Sequence, residues 1–115
     1  MIDRIQPNNR ASRAVEYGDF FVTGGVVADD LSAGIVEQTK QVLDQVAELL
    51  KAAGLTKNHL TRMQIWLSDI DNFEGMNGVY DSWVDNSEKP VRATVESRLA
   101  DPRYLIEVQA FAYRG

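Results

Sequence analysis

From Ser32 to Gly54 apolar residues recur every three or four positions: Ile35, Val36, Val42, Leu43, Val46, Leu49, Leu50 and Ala53 are separated by Glu, Lys, Gln and Asp. That period lays an apolar stripe along one side of a helix. It predicts a helix over 32–54, capped by Ser32 and ended by Gly54 in the left-handed conformation. The period then changes. Over 59–69, HLTRMQIWLSD alternates, with Met63, Ile65 and Leu67 pointing one way and Arg62, Gln64 and Trp66 the other, as in a strand. Helical spacing returns over 71–84, where Phe73, Met76, Tyr80 and Trp83 follow a capping Asp71, although Gly75 and Gly78 lower the helix propensity. Alternation marks two closing strands, 90–99 and 103–114, divided by a turn at Asp101-Pro102. Two opening strands lie within 13–27, joined by a tight turn at Gly18-Asp19. The order β-β-α-β-α-β-β predicts an α+β fold, a single mixed sheet with two helices on one face, spanning 1–115 as one domain.

Strand parity divides the sheet into two faces. If Met63, Ile65 and Leu67 face the helices, the matching small apolar sets are Val91, Ala93 and Val95, then Ile106, Val108, Ala110 and Ala112. The other face then carries Gln64, Trp66, Arg92, Thr94, Glu96, Leu105, Glu107, Gln109 and Phe111. Trp66, Leu105 and Phe111 are too large to leave in water as one patch, and the two helices cover only the opposite side. A second copy of the chain is the simplest cover, so an oligomer is expected.

Composition narrows the chemistry. Lys and Arg number 12 and Asp and Glu 17, a formal charge of −5 that argues against nucleic acid as the main partner. The absence of cysteine excludes disulfides, thiol nucleophiles and thiolate metal sites, and fits a reducing compartment. The polar opening MIDRIQPNNR does not read as a signal peptide, and no apolar run approaches the ~18 residues of a membrane helix. A cytoplasmic protein without a membrane partner is expected. His59 is the only histidine, so no metal site is expected. Thr23-Gly24-Gly25 lacks the pattern of a phosphate loop, and its glycines read instead as a close backbone approach.

Glu107 is the anomaly. It stands between Ile106 and Val108 in a strand that is otherwise core, and parity places Arg92 in the same layer. Two readings follow. In one, Arg92 and Glu107 form an interface ion pair that sets subunit register. In the other, Arg92 binds a substrate carboxylate through its fork while Glu107 handles a proton or a water. Asn77, one turn after Phe73 on the apolar side of the second helix, reads as a satisfied core amide.

QIWLSDIDNFEGMNGVYDSWV and KPVRATVESRLADPRYLIEVQAFA carry a wider pattern. The segments Asp69 to Phe73, Asn77 to Tyr80, Pro90 to Arg92 and Glu107 to Ala112 resemble the reactive intermediate deaminase family, also called RidA or YjgF-like. Likeness to that family implies a chorismate-mutase-like fold, a homotrimer with active sites between subunits, and hydrolysis of short enamino and imino acids to 2-keto acids and ammonia. It implies no cofactor. Matched by position, Arg92 resembles the family's carboxylate-binding arginine and Glu107 its water-orienting glutamate, while Gly25, Asn77 and Thr94 fall on pocket-lining positions. The pattern departs at Ala11, where the best-studied branch has a tyrosine, and at Gly24-Gly25-Val26, where it has Ser-Gly-Gln. A non-catalytic trimer that senses small carboxylates, and an RNA-directed activity, are the competing functions.

Overall fold

The computed structural model describes residues 1–115. Seven strands form one sheet: β1 (Ile2–Pro7), β2 (Ser12–Tyr17), β3 (Phe20–Thr23), β4 (Val26–Val27), β5 (Leu60–Leu67), β6 (Val91–Glu96) and β7 (Ile106–Tyr113). The spatial order is β1-β2-β3-β7-β5-β6, with β4 continuing beside β7. All pairs are antiparallel except β5 with β6. Parallel neighbours need a crossover, and α2 (Phe73–Val84) supplies it. Helix α1 (Ile35–Ala52) packs beside α2, and both cover the same face, giving the α+β arrangement expected from the element order. No helix is long and apolar enough to cross a membrane.

The core lies between helices and sheet. Val42, Leu43, Val46, Leu49 and Leu50 of α1 meet Met63, Ile65, Leu67, Ile106, Val108 and Ala110, all essentially without solvent contact. Each fully buried branched side chain contributes about 1.5–3 kcal/mol, so this seam dominates stability. α1 ends as predicted: Gly54 takes φ +74°, its N–H donates to Lys51 O, and Leu55 N–H reaches Leu50 O. Its start differs. Gly34 is the cap, and Ser32 instead donates to the Asp30 carboxylate. The α2 boundary differs too, because a short 3-10 turn (Ile70–Asn72) precedes it and Asp69, not Asp71, accepts from Asp71 N–H. Gly75 has a packing role: a methyl group there would sit 2.9 Å from Ile35 Cγ2, so its absence lets α2 approach α1.

Sheet register corrects one expectation. Met63 pairs with Arg92 and Ile65 with Thr94, so Arg92 and Thr94 lie on the helix-covered face. Trp66 pairs with Val95 on one side and Glu107 on the other, so Val91, Ala93, Val95 and Glu107 lie on the open face. Arg92 and Glu107 therefore do not share a layer. Apolarity misassigned β6 because its polar residues face α2 and its valines face outward. Val91 is 69% exposed and Val95 45% exposed, which enlarges the uncovered apolar surface.

Candidate functional site

The residues singled out in the sequence form two groups on opposite faces of the sheet. The first surrounds Arg92, at the second position of the edge strand β6. Its Nη1 donates to Asn77 Oδ1 at 2.7 Å. Its guanidinium lies over the Tyr80 ring at 4.8 Å and near the Phe73 ring at 5.6 Å. Phe73, Asn77 and Tyr80 are spaced i, i+4, i+7, so one stripe of α2 supplies all three. Helical spacing alone marked Phe73 and Tyr80 as core. The signal for their second role was that they share a stripe with Asn77.

No carboxylate of the chain pairs with Arg92; the two ion pairs are Arg103–Asp101 and Arg114–Glu16. A half-buried cation held by an amide oxygen and two ring faces keeps its charge and the rest of its fork for an anion. Thr94 is the next β6 residue on the same face, and its buried Oγ1 has no hydrogen-bond partner. An unpartnered buried hydroxyl beside an uncompensated arginine is what a polar ligand would complete. Burial pushes the Tyr80 hydroxyl pKa up, with Arg92 opposing the shift.

The second group is Glu107 and Gly25 on the open face. Val22 faces Phe111 and Val26 faces Val108, so Thr23, Gly24 and Gly25 lie opposite only Gln109 and Ala110. This is a bulge with one extra residue. Its backbone is satisfied locally: Ala110 N–H donates to Thr23 Oγ1 at 3.0 Å, Gln109 Nε2 to Thr23 O at 3.0 Å, and Gly24 N–H to Arg13 O at 2.9 Å. The bulge brings Gly25 onto the Glu107 carboxylate. A methyl group on Gly25 would sit 2.9 Å from Glu107 Cδ and overlap its Oε2, so a larger residue there would push the carboxylate aside. The close approach expected at the two glycines is found at Gly25, to Glu107, while at Gly24 a methyl group would meet only Ser12 O and Arg13 O at ordinary distances.

Glu107 forms no ion pair, and loss of solvation raises its carboxyl pKa above the ordinary value. A carboxyl raised in the native state binds a proton that the unfolded chain has already released. Stability then falls as pH rises from the ordinary carboxylate value through the raised one. Glu107→Gln removes that cost. Thermal unfolding should show the variant melting above wild type at neutral pH, with the difference shrinking as pH falls through the ordinary carboxylate value and gone by about pH 3, where both states are protonated.

The remaining candidates stay outside these groups. His59 uses Nδ1 to accept from Thr56 N–H in a capping box. An open groove of about 710 Å³, lined by Ser68 and the 96–102 loop, includes none of Arg92, Glu107, Asn77, Thr94 or Gly25. On a single chain neither group is an enclosed pocket.

Sequence and fold similarity place this chain in one class, the YjgF-like proteins. The chain belongs to that family: the endoribonuclease L-PSP family pattern, which matches residues 1–114, spans almost all of it. It is 35% identical over 112 residues to a RutC family protein of Haemophilus influenzae, covering 96% of this chain and 97% of that protein. It is 34% identical to the RutC family protein YoaB of Escherichia coli, covering 96% of each. Among solved structures, a YjgF family member from Neisseria meningitidis superposes with a TM-score of 0.95 at 33% identity, covering 100% of this chain and 96% of that one. An uncharacterised Pseudomonas aeruginosa protein superposes at 0.96 with 31% identity over the full length of both.

Proposed function

We propose that this protein is a hydrolytic deaminase of short 2-imino and 2-enamino acids, working as a homotrimer without a cofactor. The observation that carries the reading is the pair of uncompensated charges: a cation framed by Asn77, Tyr80 and Phe73, and a carboxylate with a raised pKa set against Gly25. The first suits a substrate carboxylate and the second a water. Because they occupy opposite faces, a site containing both takes Arg92 from one chain and Glu107 from another. The open face supports such an assembly, since Trp66, Val91, Val95 and Phe111 share it with the exposed row Tyr17, Phe20 and Tyr113.

In the reaction Arg92 grips the carboxylate, with Thr94 and Asn77 filling out the polar contacts. Glu107 takes a proton from water as the water oxygen attacks the C=N carbon. Glu107 passes that proton to nitrogen, then takes the carbinolamine hydroxyl proton and delivers it to the same nitrogen as the C–N bond breaks and C=O forms, so ammonia leaves and a 2-keto acid remains. Imines hydrolyse readily in water, so orientation supplies much of the acceleration. The family's endoribonuclease description raises an RNA-directed alternative. A net charge of −5 gives little attraction for a polyanion, and a single ring-framed arginine suits a small carboxylate better than a phosphate backbone.

The test generates 2-iminopropanoate with an amino acid oxidase in the presence of semicarbazide. Faster keto-acid release and less trapped imine support the deaminase; an unchanged spontaneous rate across several imino acids moves the carboxylate-sensing trimer forward. As a base, Glu107 must be ionised, so kcat should rise with pH along an acid limb above the ordinary carboxylate value of about 4.3. Gly25→Ala should lower kcat about thirtyfold by displacing the Glu107 carboxylate. KM, set by Arg92, should stay within about twofold.

A further inference from the structure

Gln38 lies on α1, has no solvent exposure, and belongs to neither charged group. Its amide is fully used. Nε2 donates to Ala33 O at 3.0 Å and Arg103 O at 3.1 Å, and Oε1 accepts from Leu105 N–H at 3.0 Å. These are the hydrogen bonds that join α1 to the 97–105 segment. On the other side, Ser68 N–H donates to Leu105 O at 3.2 Å. The residue two positions before Glu107 is therefore held from both directions.

The rest of that segment is organised on itself. Asp101 accepts from the backbone and guanidinium of Arg103, which pulls its carboxyl down to about 2, and Tyr104 N–H donates to Asp101 O. The segment borders the open groove. A solvent-lined loop thus runs directly into the strand that carries Glu107, and one buried amide ties that junction to the helix layer.

We infer that Gln38 is a positioning residue for Glu107, holding the start of β7 so that the carboxylate stays pressed on Gly25. This rests on the deaminase reading. Removing the amide leaves Arg103 O and Leu105 N–H without their helix partner, and polar groups so stranded recruit water or shift to find it. Ile106 and Glu107 are the first two ladder residues after the junction. The Glu107 carboxylate lies closer to Gly25 than a methyl group would allow, so a displaced start of β7 loosens that packing and changes the carboxylate's solvation. Arg92, on β6 and the other face, is not disturbed.

Gln38→Met keeps the side chain's length and removes its hydrogen bonds. Val46→Ala, a buried core change on the same helix, serves as the control for general destabilisation. The measurements are kcat and KM for imine hydrolysis against pH, and amide hydrogen exchange over 103–107. Gln38→Met is expected to lower kcat about tenfold with KM within about twofold. Its acid limb should move down toward the ordinary carboxylate pKa as Glu107 regains water, with faster exchange at Leu105 to Glu107. Val46→Ala should lower the melting temperature and leave kcat and the acid limb in place. Matching profiles for the two variants, or a raised KM with an unmoved limb, overturn the inference. If Gln38→Met does not fold, Gln38→Glu, which keeps the acceptor for Leu105 N–H but removes the donor to Ala33 O and Arg103 O, must show the same directions of kcat and limb change. Should wild type fail to accelerate hydrolysis, the deaminase reading falls, and NMR titration of the Glu107 carboxyl judges Gln38 alone. An unshifted titration in Gln38→Met then sinks the positioning role as well.

Discussion

Arg92→Ala is expected to lower kcat/KM for 2-iminopropanoate about a thousandfold, the range for truncating one partner of a desolvated, hydrogen-bonded charge pair. The size follows from its surroundings. Asn77 takes one Nη1 hydrogen, the Tyr80 and Phe73 rings flank the guanidinium, and no side-chain carboxylate neutralises it. The substrate carboxylate then meets an intact charge at low local dielectric. Arg92→Lys should recover little, since an ammonium cannot match a carboxylate with two parallel bonds while also donating to Asn77. Steady-state kinetics on the three proteins, with pyruvate binding measured by calorimetry, checks this. Equal pyruvate affinity in wild type and Arg92→Ala would place the carboxylate elsewhere.

Periodicity located both helices and most strands because each buries one face, and burial of one face imposes a period. Strand β1 escaped notice for the same reason: it is an edge strand exposed along almost its whole length, so nothing forces its residues to alternate. The assignment of β6 failed for a different cause. Apolar residues mark whichever face is to be covered, and on β6 that is the open face, whereas the helix side holds Arg92 and Thr94. Arg92, Asn77, Thr94, Gly25 and Glu107 were singled out from motif positions, and the structure places Arg92, Asn77 and Thr94 in one group and Gly25 and Glu107 in another. Their division into two sets was not legible, because it depends on which residues of β5 and β6 pair, and a parallel pair leaves no hairpin turn in the sequence to set its register. Gln38 was invisible for a related reason: a glutamine in an amphipathic helix looks solvated until the chain 65 residues later arrives to use its amide.

That division yields the sharpest test of assembly. In the proposed trimer, Arg92→Ala and Glu107→Ala proteins should each be nearly inactive when assembled alone. Unfolded together at equal concentration and refolded, they should regain about one quarter of wild-type activity. A site between two protomers is whole only when the Arg92 donor is a Glu107→Ala chain and the Glu107 donor an Arg92→Ala chain, and random assembly meets each condition half the time. The double variant Arg92→Ala/Glu107→Ala mixed equally with wild type should also give about one quarter, because a whole site then needs two wild-type neighbours. If both residues instead served one site within a single chain, the first mixture would stay inactive and the second would retain half. Opposite sheet faces in one chain, with Met63 beside Arg92 and Trp66 beside Glu107, are the physical ground for expecting the quarter.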